Sequence, residues 1–138
     1  MSVVELAIEC VKAVEKIGGQ FRSRARRFHT DIYVLGPAYV VALAAARSSK
    51  DKVSMGLNAE TCEKAMSQII SGEGDSVEKK SYAAYGAALL YILKKLGAVR
   101  ESDFATVLKK LNDDPPYEAL EVANWLKLLA EAYFAERE

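Results

Sequence analysis

Four arginines fall within six positions of the stretch FRSRARRFH, as Arg22, Arg24, Arg26 and Arg27. A guanidinium stays charged at physiological pH and presents a planar fork of N–H donors that matches phosphate or carboxylate oxygens. Such groups can hold a nucleic-acid backbone without reading its bases. The flanking Phe21, Phe28, His29 and Tyr33 either pack inward or offer faces for base stacking. Lys50 and Lys52 lie beyond the next predicted helix and extend the patch if the two helices run antiparallel. Two readings stand side by side. The arginines form a solvated helix face with incidental ion pairs, or they hold a phosphate ligand. Arginine rather than lysine at all four positions favours the second, because a solvated face has no need of the fork.

The surrounding chain makes this cluster a local feature. Nineteen Lys and Arg balance nineteen Asp and Glu over 138 residues. Between Gly18 and Lys52 there are seven bases and two acids, a local charge of +5, so the remainder carries −5. That asymmetry can draw a polyanion to one end of a neutral protein. Catalytic constellations are missing from the sequence. His29 is the single histidine, and no Glu-x-x-His pair is present for a zinc or di-iron site. Neither the phosphate-binding loop motif nor the dinucleotide glycine motif occurs. Glu118 and Glu121 can be drawn as an acid–base pair, but acids at helical spacing make a solvated face. The expectation is a non-enzyme with no metal and no cofactor. Cys10 and Cys62 fall on apolar faces of predicted helices and read as two buried thiols rather than a disulfide or metal site. No apolar run reaches the ~18 residues of a membrane span, and Glu5 and Glu9 stand where a signal peptide needs a basic then an apolar region. A cytoplasmic protein is expected.

The elements that must position these residues are helical throughout. The pattern predicts an all-α, single-domain helical bundle over residues 1–138, of about six or seven helices. Ser2 and Glu5 form a capping box for the first, and Gly18-Gly19 ends or bends it. Phe21, Ala25, Phe28 and Ile32 give the second an apolar stripe, with the arginines on the opposite arc. Pro37 suits the first turn of a third, Ala- and Val-rich helix ending near Arg47. The stretch SSKDK reads as a solvated loop, and Asn58 as the cap of a fourth helix with Leu57 and Cys62 as a staple. Cys62, Ala65, Met66 and Ile69 line that helix's inner face, and SGEGD follows as a mobile loop. A long central helix is predicted from about Ser76 to Leu96, closed by Gly97. Ser102 caps a short helix; Asp114, with Pro115 behind it, caps the last. That helix carries a main stripe of Ala119, Val122, Ala123, Leu126, Leu129, Ala130 and Tyr133. Trp125, Leu128 and Ala132 form a second apolar ridge, which either is buried or meets another molecule.

Three segments then carry a resemblance. FRSRARRFHTDIYVLGPAYVVALAAARS resembles the N-terminal signature of the small all-helical subunit of the type III-B CRISPR (Cmr) complex: an aromatic residue, a basic run, an apolar patch, a Gly turn and a helix ending in a basic loop. YAAYGAALLYILKKLG is similar to that family's central helix, and ALEVANWLKLLAEAYFAE to its closing helix. Gly36-Pro37 departs from the Gly-Leu common among relatives. The resemblance implies a non-catalytic structural subunit of an antiviral ribonucleoprotein. It would contact guide RNA and target RNA through a basic face and stack on other subunits, including copies of itself. Carried onto this chain, the RNA-contacting positions are Arg22, Arg24, Arg26 and Arg27, and Trp125 and Leu128 become interface candidates. The alternative from a different class is a helical protein-interaction module whose arginines bind an acidic partner. A small helical nuclease is a third reading.

Overall fold

Most helices begin at a short polar side chain that satisfies a free backbone N–H. The computed structural model describes residues 1–135. Ser2 opens α1 (Val3–Ala13): its hydroxyl accepts from the Glu5 N–H at 3.2 Å, while the Glu5 carboxylate accepts from the Ser2 N–H at 3.1 Å. This is the expected capping box, and its bonds to Ser2 hold the Glu5 carboxyl below the usual carboxylate range. The chain then tightens into a 3₁₀ turn (Glu15–Ile17) and re-enters α2 (Gly18–Leu35) at the glycine pair. Gly36, at φ +91°, takes a backbone that suits glycine and lets Pro37 start α3 (Pro37–Arg47).

The next stretch departs from expectation. SSKDK is not a loop. Ser49 caps α4 (Lys50–Asn58), its hydroxyl accepting from the Lys52 N–H at 3.1 Å. Asn58 therefore ends a helix instead of starting one. The cap of α5 (Cys62–Ile70) is Thr61, and the Leu57–Cys62 staple does not apply. Ser76 caps α6 (Val77–Lys95), and Gly97, at φ +78°, closes it with Gly97 N–H to Lys94 O and Ala98 N–H to Leu93 O. Asp103, not Ser102, caps α7 (Phe104–Asp113) through the Thr106 N–H at 3.0 Å. Asp114 follows α7 and receives Lys110 at 3.0 Å, so α8 (Glu118–Tyr133) starts without a side-chain cap. The described residues thus hold eight α-helices and no strand, where six or seven helices were expected.

The core forms around α6. Every residue from Ser81 to Leu93 is buried, so this helix is covered on all sides by α1, α2, α3, α4, α5 and α8. Small residues permit the closest approaches. A methyl on Gly56 would run into the carbonyl oxygen of Ala87, and one on Gly86 would lie 2.9 Å from Ala44 Cβ and 3.0 Å from Val53 Cγ1. α2 docks through the expected Phe21, Ala25, Phe28 and Ile32, all buried. Phe28 meets Tyr85 edge-on at 5.0 Å and Phe21 meets it at 6.0 Å. In α8, Ala119, Val122, Ala123, Leu126 and Ala130 are buried as expected, whereas Tyr133 is exposed.

The cysteines also depart from expectation. Cys10 of α1 and Cys62 of α5 form a disulfide, with Cα atoms 5.3 Å apart and both side chains buried. Each cysteine does lie on an apolar helix face, as expected. The packing of α1 on α5, which sequence spacing does not encode, is what brings the two together. Beside the bridge, a Glu9 carboxylate oxygen accepts from the Cys62 N–H at 2.8 Å. Burial, then the Glu9 charge, pushes the Tyr91 phenol up.

Candidate functional site

A helix that buries one stripe must present its other residues outward or sideways, and the α2 arginines divide accordingly. Arg26 and Arg27 are exposed, on the side of α2 that faces α8 and beyond. Arg26 Nε lies 3.2 Å from a Glu131 carboxylate oxygen, and Arg27 Nε lies 3.8 Å from Asp31, one turn later on its own helix. Two positions after Arg27, His29 Nε2 meets Asn124 Oδ1 at 2.5 Å, a second polar tie to α8.

Arg22 and Arg24 are half-buried, and Arg24 reaches across to α6. Arg24 Nη1 donates to the Tyr82 hydroxyl at 2.6 Å, and its guanidinium carbon lies 4.4 Å from the Tyr82 ring centroid. Arg47, from the last turn of α3, brings a second guanidinium to within 5.9 Å of the same centroid. The inner Nε–H groups of Arg22 and Arg24 are buried without an acceptor. Among the described residues no carboxylate forms an ion pair with Arg22, Arg24 or Arg47. That includes Glu78, one turn before Tyr82 on α6.

The two lysines go elsewhere. Lys52 forms an ion pair with Asp75, which also lies 3.9 Å from Lys79, so the SGEGD segment is tied to α4 and α6 through Asp75. Lys50 is exposed near α7. Hydrogen bonds from Thr106 lower the Asp103 carboxyl below its ordinary range, with the Lys50 charge adding to them. The six basic positions singled out by sequence therefore fall into separate groups: Arg26 and Arg27 among carboxylates, Arg24 at Tyr82, Arg22 half-buried with no ion pair among the described residues, Lys52 at Asp75 and Lys50 toward Asp103.

The second ridge of α8 is partly a surface. Leu128 and Ala132 are exposed, while Trp125 is half-buried and packs on the core. Larger exposed apolar residues lie at the α2–α3 corner: Tyr33 is 76% exposed and Val34 68%, with Leu35 and Tyr39 beside them. Of the flanking aromatics named from sequence, Phe21 and Phe28 pack inward and Tyr33 is the exposed one; Val34, Leu35 and Tyr39 were missed, although three consecutive apolar residues at a helix end cannot all face one core. Arg47 entered only as the end of the third helix, and Tyr82 was not singled out. Their meeting with Arg24 depends on how α3 and α6 lie against α2.

Other chemistry is sparse. Among the described residues no three His, Cys, Asp or Glu side chains gather where they could hold a metal ion. A groove of about 800 Å³ between α1 and α5 is lined by both signs of charge, including Glu9, Lys12, Lys16 and Glu63. No described helix is long and apolar enough to cross a membrane. No family model, curated protein or solved structure matches this chain.

Proposed function

We propose that this protein is a non-catalytic structural subunit of a type III-B CRISPR ribonucleoprotein that contacts the backbone of guide and target RNA through its basic face. The observation that carries the reading is the arginine run of α2, held outside a stripe of Phe21, Ala25, Phe28 and Ile32 that is fully committed to the core. Supporting it is the resemblance, whose other two segments coincide with α6 and α8. The exposed Tyr33, Val34, Leu35 and Leu128 give copies of the chain, or neighbouring subunits, an apolar surface to stack on. The subunit acts in the cytoplasm. The buried Cys10–Cys62 bond weighs against that placement, because disulfides are rare in a reducing cytosol outside hyperthermophiles.

Binding of this kind depends on salt. If Arg22, Arg24, Arg26 and Arg27 each neutralise one phosphate of a single strand, the log–log slope of affinity against salt is about −3, from ~0.7 per contact. Fluorescence titration with unrelated single-stranded RNAs measures it, and replacing all four by alanine should weaken every sequence alike. A slope near zero, or an unchanged variant, sinks the reading.

The ion pairs of Arg26 and Arg27 with carboxylates of their own chain favour one second reading, a helical protein-interaction module whose arginines meet an acidic partner surface. It predicts no RNA binding even when the subunit is concentrated, together with salt-sensitive capture of an acidic partner that the same alanine variant loses.

A further inference from the structure

We infer that Arg24, Arg47 and Tyr82 form a discrete site for one phosphoryl oxyanion at the junction of α2, α3 and α6. The inference rests on the reading of the basic face as a phosphate surface and narrows it to two guanidiniums, one of which lies outside the α2 run.

Two cations from different helices converge on one aromatic ring, with guanidinium carbons 4.4 and 5.9 Å from its centroid. Like charges brought together repel, and the ring's negative face offsets only part of that. No described carboxylate pairs with either group. Arg26 and Arg27, two and three positions from Arg24, both have such a partner. The site therefore concentrates positive charge that no described carboxylate answers at ion-pair distance.

Its geometry is also partly fixed before any ligand arrives. The Tyr82 hydroxyl accepts one N–H of Arg24 at 2.6 Å, and Tyr82 itself is 4% exposed in the core helix α6. Arg24 is thus anchored at one edge, leaving the rest of its fork for another acceptor. Arg47 is exposed at the end of α3 and free to close from the far side. An anchored donor loses little side-chain entropy on binding. A tetrahedral oxyanion takes donors from two forks at once, which a single carboxylate cannot match as well. The source is either a backbone phosphate of single-stranded RNA or free inorganic phosphate.

Affinity for a single-stranded oligonucleotide is measured for the whole chain and its variants, in parallel with a titration by inorganic phosphate followed through the backbone NMR signals of Arg24, Arg47 and Tyr82. Arg24→Ala and Arg47→Ala are each expected to weaken oligonucleotide binding about tenfold, the loss of a charge-assisted hydrogen bond. Arg26→Ala and Arg27→Ala should cost less than either. Arg47→Lys keeps the charge but not the fork and should recover only part of the loss. Tyr82→Phe should act on the affinity by freeing Arg24, with the fold intact by circular dichroism. Should Arg24→Ala fail to fold, Arg47→Ala, at an exposed position, decides alone. Oligonucleotide binding in which Arg47→Ala is silent overturns this site while leaving the RNA reading in place. Phosphate shifts at Tyr82 that vanish in Arg47→Ala, without oligonucleotide binding, keep the site and remove the RNA reading. Neither response removes both.

Discussion

Arg24 and Arg26 stand two positions apart on one helix and meet opposite kinds of partner, an aromatic hydroxyl and a carboxylate. Exposed pairs such as Arg26–Glu131 contribute roughly 0–1 kcal/mol, since solvent screens them and long side chains lose freedom. A double-mutant cycle on that pair should therefore give a coupling below about 1 kcal/mol. Tyr85 is a sharper case. Its hydroxyl is buried in the core with no acceptor. Leaving a buried polar group unsatisfied costs about 1–3 kcal/mol, so Tyr85→Phe should leave stability unchanged or raise it, read by chemical denaturation. The same burial pushes the Tyr85 phenol well above its ordinary value. A raised pKa means the folded state holds the proton more tightly. Its contribution is complete below the unfolded value of about 10 and is lost as pH rises beyond it. Alkaline unfolding should be steeper in the parent than in Tyr85→Phe.

At the scale of elements, close helix contact decides what the sequence tolerates. α4 is short and carries Gly56 in its interior, a poor helix former by propensity. Packing overrides propensity there: Val53, Gly56 and Leu57 are buried, and the glycine lets α4 approach the Ala87 backbone of α6. Gly56→Ala would raise intrinsic helix propensity by about 1 kcal/mol. It should nevertheless destabilise the protein, by about 1–3 kcal/mol or more, because a rigid carbonyl occupies the space. Urea unfolding distinguishes the two signs. The α2–α6 contact should be equally sensitive. Phe28→Ala removes a buried ring packed on Tyr82 and Tyr85 and is expected to cost about 3–5 kcal/mol.

For the whole molecule, the covalent tie between α1 and α5 joins positions 52 residues apart. By loop-closure entropy, a bridge of that span removes about 4 kcal/mol worth of freedom from the unfolded chain. Unfolding the protein with and without reductant, alongside a Cys10→Ala/Cys62→Ala variant, should show a loss approaching that size. An equal midpoint under both conditions would mean the helical core holds α1 and α5 together unaided. The basic segment of the chain supplies α2, α3 and the start of α4, and Glu131 of α8 and Asp75 answer part of its charge.

The sequence by itself determined what local periodicity and capping chemistry can carry. The Phe21–Ile32 stripe, the Ser2–Glu5 box, Pro37 at the start of α3, the inner face of α5 and the Gly97 closure all rest on residues within a turn or two of each other. Their physical causes are complete within that span. Only the tertiary structure decided the rest. α4 was not legible because its stability comes from α6 and not from its own pattern. The caps shifted by a residue or more at Thr61 and Asp103, since several polar residues nearby could each serve and packing chose among them. The disulfide depends on two helices meeting across 52 positions. Arg24, Arg47 and Tyr82 come from three helices, so their convergence is a property of packing angles. A run of arginines advertises a basic face, but which of them remain without a counter-charge is settled by the neighbours that the fold supplies.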